Sequence, residues 1–481
     1  MAGSPFSWLS AFPPQPLHDF REPGRAHLVG IAGAGMRSLA QVLLEKGWKL
    51  SGSDPSVGAI ALLAEAGVAL HDRHDARHLP RDCDLVIYSD AIPPTNPELA
   101  LAGRLHIPAI SYSVALGRLM TEKRGLAIAG MHGKSTTAAM AADILTSAGL
   151  DPAMVYGAAP PGRLTGGRWG QGELMLVEAC ADRANFLKLR PSQAVILGIE
   201  PGHFDGCSSR DRLEHAFALF ARSVSDDGLV LARGDCPSTR RATSGLRCRV
   251  ETFGLDASAD WSASGLRARR GIYQFDVVHR GRLMTRVKLC VPGRHQVLNA
   301  LAATALAWHN GVPLEKISQA LGGFRGLQRR LEVIGVLRGA ILIDDCARHP
   351  TEVAATLRTI RQMYPAARQW CVFRPHQVSR SGRLLDELAA SLQNADKVLI
   401  AEISRSPELP REEGVVRAVD LVAAMGRCGG DTEGIYSIEG ILGLLENRLR
   451  PGDVLVTIGA GDIRKVADGL VYRFREDCAA G

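Results

Sequence analysis

Residues Leu126 to Leu150 read LAIAGMHGKSTTAAMAADILTSAGL, and the reading of this stretch decides the fold. Leu126 to Ile128 with Ala129 form an apolar run suited to a buried strand. Gly130 and Gly133 bend the chain, and Ser135 onward is Ala-rich and amphipathic until Gly149 stops it. The pattern is strand, glycine loop, helix. A helix start carries unpaired N–H groups and a partial positive charge, which together bind an anion such as a phosphate. Gly133 lets the backbone approach that anion, Lys134 adds a cation, and the Ser135 hydroxyl can ligate Mg²⁺. The longer phosphate-loop pattern wants a glycine where this chain has Ile128, so the match is the shorter G-x-x-G-K-S form. The competing reading is an ordinary strand-to-helix turn with an exposed lysine.

At 481 residues the chain has room for about three domains, and a 46% apolar content supplies a core for each. Many glycines and few aromatics suit α/β layers with tight turns. The net charge of +7 is mild, and no Lys/Arg run or interleaved aromatic stripe appears. Nucleic acid is therefore a poor partner, whereas an anionic nucleotide fits. Ten cysteines are scattered singly with no C-x-x-C, which speaks against a zinc knuckle or a disulfide framework. The start MAGSPFSWLSAFPPQPLHDF lacks a basic head followed by an apolar core, and no apolar run approaches membrane-spanning length. These features predict a cytoplasmic protein without membrane contact, led by a loosely ordered Pro-rich segment over residues 1–24.

His27 to Ala32 reads as a strand, with Gly30 inside it. Gly33-Ala34-Gly35-Met36 and an apolar helix to Lys46-Gly47 follow, then a strand from Trp48 to Gly52 that leads into Ser53-Asp54. A strand, a glycine turn, a helix and an acid about twenty residues on match the first half of a dinucleotide-binding fold, although the spacing is G-x-x-G-x-G. A further strand, Asp84 to Ser89, ends in Ser89-Asp90. Ligands of open parallel sheets sit at the carboxyl ends of strands, so Gly33, Gly35, Asp54 and Ser89 are expected to converge on one nucleotide; otherwise they are turn residues. The boundaries predicted for this domain are residues 25–123.

The second domain, residues 124–332, continues from the phosphate loop with strands Leu174 to Val177, ending at Glu178, and Ala194 to Ile199, followed by Glu200 and His203. Both acids would face the loop in a parallel sheet, and Glu178 is the expected Mg²⁺ ligand, since carboxylate oxygens suit that ion. On spacing alone His203 reads as a capping or hydrogen-bonded histidine. From Arg247 to Val291, short β-branched runs (VETFGL, IYQFDVVHR, RVKLCV) between glycine turns predict an antiparallel flap. A turn at Pro292-Gly293-Arg294-His295 then opens an Ala-rich helix, Gln296 to Trp308. Three arginines within Phe324 to Glu332 read either as a solvated basic face or as a phosphate clamp near a hinge. The third domain, residues 333–481, restarts the α/β alternation with strand Ala340 to Ile343. Its polar residues, among them Asp345, His349, His376, Arg380 and Asp462, cluster after strands.

The set GMHGKSTT, Glu178, His203, HQVLNALAA, LQRRLE, DDCARHPTE, FRPHQVSR and GAGDI, preceded by GIAGAGM and SGSD, resembles the Mur ligases in motif order from about His27 to Asp462. The resemblance implies an N-terminal Rossmann-like UDP-sugar domain, a central P-loop ATPase-like domain and a C-terminal Rossmann-like domain for an amino acid. It implies an ATP- and Mg²⁺-dependent ligase of peptidoglycan synthesis that joins an amino acid, L-alanine foremost, to UDP-N-acetylmuramate through an acyl phosphate, as monomer or homodimer. Under it, Gly130, Met131, His132, Gly133, Lys134, Ser135 and Thr136 cradle the phosphates. Gln296, Asn299, Arg330 and Asp345 meet ATP. Ser135, Glu178 and His203 serve the metals, and Lys134, Glu178, His203 and Arg330 carry the chemistry. Gly33, Gly35, Met36, Ser53, Asp54 and Ser89 hold the UDP side, and His349, His376 and Arg380 lie near the amino acid.

The chain also departs from that pattern. Cys180-Ala181-Asp182-Arg183 stands where the family has Asp-Glu-Ser-Asp, and Gln296 where it has asparagine. Cys346 replaces a tyrosine, Arg348 a histidine and Gln377 an arginine, while Gly198 and Gly202 replace polar or small acidic neighbours of His203. Two further readings follow from these changes: a paralogue with another amino acid, or a weakly active nucleotide-binding regulator. An NAD-dependent oxidoreductase, read from the N-terminal glycines, gives Lys134, Glu178 and His203 no role.

Overall fold

Three α/β units, each built on its own sheet, follow one another along the chain. The computed structural model describes residues 20–56, 58, 61–200, 210–375, 382–402, 418–429, 432–459 and 461–479. His203, His376, Gln377 and Arg380 lie outside the described residues, as does most of the N-terminal lead-in.

The first sheet has five parallel strands in the order Ala69–His71, Lys49–Ser53, Arg25–Val29, Leu85–Tyr88, Ala109–Ser111. The chain runs outward in both directions from Arg25–Val29, which opens a crevice at that strand's carboxyl end. One expectation needs correction here. The strand stops at Val29, and Gly30, at φ +82° with its N–H on the Ser53 carbonyl, begins the turn instead of lying inside the strand. A Cβ at Gly30 would stand 3.0 Å from that of Ser89, so the left-handed turn also needs the missing side chain.

In the second sheet, of ten strands, Arg124–Ala129 lies between Gln193–Ile196 and Leu174–Glu178, parallel to both. Its register sets Ile128 opposite Glu178 and Ala129 opposite Ile196, so the phosphate loop leaves the sheet between the two acidic strand ends. The helices Lys134–Ser147 and Arg294–His309 pack together on one face, with small residues such as Ala138, Ala142, Ala300 and Ala303 allowing close approach. The flap is smaller than its sequence suggested. Arg249–Gly254, which contains most of VETFGL, continues the parallel sheet, and within the flap the antiparallel pairing is confined to Trp261–Arg269, Ile272–His279 and Arg282–Pro292. Short β-branched runs look alike in both settings, because period and composition do not report strand direction.

The third sheet runs Glu332–Leu337, Ala340–Asp345, Val454–Gly459, Gln369–Arg374, Lys397–Ala401, Gly434–Tyr436, and all its pairs are parallel except the first. That first pair is a hairpin turned at Arg338 and Gly339, both at positive φ, as a two-residue hairpin loop requires. Among the described residues no helix is long and apolar enough to cross a membrane, and the cysteines are unpaired.

The first two domains meet over a wide seam. The helix Ala34–Glu45 lies on Ala153–Tyr156 and Gly166–Arg168, where Ser38 Oγ donates to the Tyr156 carbonyl at 2.8 Å and accepts from Gly166 N at 3.2 Å. Beyond its end, Trp169 is flanked by the ammonium groups of Lys46 and Lys123, 3.9 and 4.6 Å from the ring centroid.

Candidate functional site

The loop after Ala129 folds as the glycines require. Gly130 at φ +137° and Gly133 at φ +77° take conformations that side chains resist, and Gly133 is the N-cap of the helix Lys134–Ser147. A Cβ on Gly133 would come within 2.4 Å of Asn299 Oδ1, so the amide of Asn299 rests directly on the loop. Asn299 Nδ2 in turn donates to Gln296 Oε1 at 2.9 Å, which joins both expected ATP residues in one buried pair. Lys134 Nζ donates to the carbonyls of Gly130 and Met131 at 2.9 and 3.2 Å, which holds the cation over its own loop. The Met131 and Thr136 side chains are buried, and Met131 N donates to the Gly198 carbonyl.

Ser135 Oγ donates to Glu178 Oε2 at 2.8 Å, and Gly157 N donates to the same oxygen at 2.7 Å. A hydroxyl and a carboxylate oxygen at the positive end of a helix are hard donors of the kind Mg²⁺ takes, so these residues fit that ion. Glu200, the other acid at a strand end, does different work. Its Oε2 meets His132 Nε2 at 3.0 Å and its Oε1 accepts from Thr351 Oγ1 at 2.7 Å, while His132 Nδ1 meets Glu352 Oε1 at 3.0 Å. Burial works against charge on the His132 imidazole, but the two carboxylates prevail and hold its pKa up at about 9. Glu200 would likewise be raised by burial, yet its bonds to His132 and Thr351 carry it down to about 2. His132, Glu200 and His349 are grouped closely enough to hold a metal. The donor chemistry opposes it, because His132 is an imidazolium between carboxylates. His349 Nδ1 also accepts from Thr351 N, which puts that ring's proton on Nε2. His349 is thus the N-cap of Pro350–Met363 and part of a capping box with Glu352.

The third domain supplies the opposite wall. Asp345 is buried and accepts from Leu331 N and Ala347 N at 2.9 and 2.7 Å, and burial raises its carboxyl to about 6. Arg330 lies close enough to Cys346, Glu352, Asp345 and Glu178 to feel all four, and its Nε is buried with no hydrogen-bond partner among the described residues. The neighbouring Arg329 belongs to the scaffold: it pairs with Asp344 at 2.9 Å and donates to the carbonyls of Gly459 and Gly461. Between the walls lies a cavity of about 410 Å³, lined by His132, Gly133, Gln296, Asn299, Arg330 and Asp345 among others, a size suited to a nucleoside ligand. The same cavity is lined by Arg233, Asp235, Phe253 and His295, which sequence reasoning missed. Of these, His295 alone stood in a quoted motif, at the head of HQVLNALAA after the Pro-Gly turn. His295 is held neutral by burial, at about 4.

In the first domain the expected UDP residues gather at the carboxyl ends of three adjacent strands, with different duties. Gly33 caps the helix Ala34–Glu45, whose start is open to an anion. A Cβ on Gly35 would meet Tyr112 Oη at 2.7 Å, so this glycine admits the tyrosine. Met36 is in the core and can offer a ligand only its backbone. Asp54 accepts from Ala32 N and Ser56 N at 3.1 and 2.8 Å and so fixes the glycine turn, and Ser89 Oγ accepts from Ala91 N. Ser53 is fully buried, its hydroxyl held between Glu98 Oε2 at 2.6 Å and His74 Nδ1 at 2.8 Å. It therefore anchors the strand end and presents no hydroxyl to a ligand, contrary to the sequence expectation.

Three family models match the chain in order: Mur ligase family, catalytic domain over residues 25–124; Mur ligase middle domain over 128–307; and Mur ligase, glutamate ligase domain over 329–461. A UDP-N-acetylmuramate--L-alanine ligase of Desulforamulus reducens is 37% identical over 94% of this chain and 98% of its own length. One from Aquifex aeolicus is 36% identical over 91% and 95%. Among solved structures, a UDP-N-acetylmuramate-alanine ligase of Thermotoga maritima superposes with a TM-score of 0.80 at 24% identity, covering 94% of this chain and 99% of that one, a likeness of fold.

Proposed function

The chain belongs to the Mur ligase family, and from that membership we propose how its residues divide the work of an ATP-dependent ligase that joins an amino acid to UDP-N-acetylmuramate. One observation carries the assignment: the Ser135–Glu178 contact beside Lys134, at the start of a helix and facing Arg330 at the domain junction and Asp345 of the next domain. A carboxylate is a poor electrophile until one of its oxygens becomes part of a good leaving group. Its attack on the γ-phosphorus of ATP forms a C–O–P linkage and breaks the bond to ADP. The amine then attacks the acyl carbon, forms the amide, loses a proton and releases phosphate. The difficulty lies in bringing two anions together, so the need is for fixed positive charge and donors.

The backbone N–H groups at the start of Lys134–Ser147, with the Lys134 ammonium, bind the transferring phosphate. Ser135 and Glu178 would hold Mg²⁺, which supplies further positive charge at the phosphate oxygens. Arg330, just before the strand that opens the third sheet, adds a further cation, and Gln296 and Asn299 line the nucleoside end. The start of Ala34–Glu45 at Gly33 receives the diphosphate of the UDP-sugar. The activity of the relatives supports L-alanine as the amino acid. The test is phosphate release with ATP, Mg²⁺, UDP-N-acetylmuramate and a panel of amino acids, each component omitted in turn. Release that needs every component and is fastest with L-alanine is expected. Another preferred amino acid would overturn the L-alanine assignment, and nucleotide binding without release would overturn the ligase mechanism.

A further inference from the structure

The cavity between the second and third domains runs in one direction from the phosphate loop. Ala129, Ile196 and Ala232 stand opposite one another in register, so the loop, Leu197 and Arg233 leave three adjacent parallel strands at one level. Neighbouring strands are about 4.8 Å apart, which sets Ala232 about 10 Å from the loop strand. Leu197, Arg233 and Phe253, at or just beyond the ends of Gln193–Ile196, Leu229–Arg233 and Arg249–Gly254, line the cavity. No residue of Leu174–Glu178 or Ala153–Tyr156, on the other side of the loop strand, does so. A nucleotide with its phosphates on the loop therefore lays its ribose toward Arg233 and the residues that follow it.

Among the described residues four carboxylates line this cavity, and three of them are spent. Glu200 is bound to His132 and Thr351, Glu352 meets His132 and accepts from Arg348 N, and Asp345 accepts from Leu331 N and Ala347 N. Asp235 is different. Its one described partner is Arg233, whose Nε and Nη2 donate to Oδ1 and Oδ2 at 2.5 and 3.2 Å. An ionised carboxylate has about four lone-pair sites, so this pairing leaves acceptors open to the cavity. The arginine also fixes where they stand. Its side chain leans over Gly198, with Cδ and Nη1 3.6 and 3.7 Å from the place of a Cβ there, and the Gly198 carbonyl accepts from Met131 N of the phosphate loop.

We propose that Asp235, held by Arg233, accepts hydrogen bonds from the ribose hydroxyls of ATP and so selects ribonucleotides at this site. The inference rests on the ligase assignment and deepens it by a binding residue that the phosphate chemistry does not use. Hydroxyls donate strongly to an ionised carboxylate, and an acid near a strand's carboxyl end is how a dinucleotide-binding sheet holds a ribose. The contact orients the nucleotide at a distance from its reacting γ-phosphate.

The experiment measures dissociation constants of ATP and of 2′,3′-dideoxyATP, which lacks both hydroxyls, with Mg²⁺ on the full chain and on Asp235→Ala and Asp235→Asn. Wild type should bind ATP about 10- to 100-fold more tightly than the analogue, the worth of charged hydrogen bonds. Asp235→Ala should lose that preference by weakening ATP alone. Asp235→Asn keeps one acceptor oxygen and should keep part of it. Both variants should melt as wild type does, since a partly exposed ion pair gives the fold little. Equal weakening of both nucleotides would mean that Asp235 props the cavity or meets the base, and an undiminished preference would mean that it meets no ribose; either result overturns the proposal. Wild type that binds the two nucleotides alike would overturn it and leave the ligase assignment standing. Failure of wild type to bind either would overturn the ligase assignment itself, and this proposal with it.

Discussion

Lys134 is held by two carbonyls of its own loop, bonds that an alanine loses without leaving a buried charge unpaired, so its worth to the fold is small beside its worth to a bound phosphate. Lys134→Ala is expected to lower turnover by about 10²- to 10³-fold, the usual cost of losing one donor to developing charge, with stability changed by about 1 kcal/mol or less. A thermal melt beside a phosphate-release assay checks both, and a large loss of stability would reassign the lysine to the scaffold. The place of Glu178 beside the phosphate loop was legible because strand and register agree: the acid ends a strand that pairs in parallel with the phosphate-loop strand, and it meets Ser135. Ser53 was not legible. Its partners, Glu98 and His74, are 45 and 21 residues away in sequence, and nothing local shows that they meet it. His349 has a local duty that its sequence also shows, since H-P-T-E is a helix start.

At the scale of elements, the His132 contacts join the phosphate loop to the helix Pro350–Met363 and so couple two domains. Its sign with pH is definite. His132 has a docked pKa of about 9, above its ordinary 6.5, so its contribution is complete below about 6.5 and is lost as pH rises through about 9. Glu200, at about 2 against an ordinary 4.5, contributes above about 4.5 and loses its effect as pH falls toward 2. Docking of the third domain should therefore be tightest from about pH 4.5 to 6.5 and loosen above about 9. Small-angle scattering should show the radius of gyration growing between pH 7 and 10, and growing less in Glu352→Gln, which starts looser. A radius independent of pH in both proteins would remove the latch. The hairpin Glu332–Leu337 with Ala340–Asp345 shows why element boundaries were harder to read than element types. Gly335 and the bulge beside Val333 break the alternation that announces a strand, although the Arg338-Gly339 turn was there to be seen.

Across the whole molecule, the motif order carried the three-domain plan, and tertiary contacts decided how the domains meet. Sequence offered no sign that Trp169 would meet both Lys46 and Lys123, because the three come from separate segments with no shared period. That seam fixes the start of Ala34–Glu45 relative to the phosphate loop, so it sets the distance between the two substrates. Trp169→Ala should raise KM for the UDP-sugar several-fold and cost about 1–3 kcal/mol of stability, with ATP affinity unchanged; equal losses for both ligands would show that the seam supports the fold alone. The third domain meets the second through the His132 and Glu200 contacts and through Met363 and Thr359 beside Gly271 and Gly293.

The most direct test of the central claim, that a carboxylate and a γ-phosphate react in the cation-lined cavity between these domains, follows oxygen atoms. UDP-N-acetylmuramate labelled with ¹⁸O in its carboxylate is turned over with ATP, Mg²⁺ and L-alanine, and the phosphate is analysed by mass spectrometry. One labelled oxygen per phosphate released is the predicted result; phosphate free of label would contradict the account.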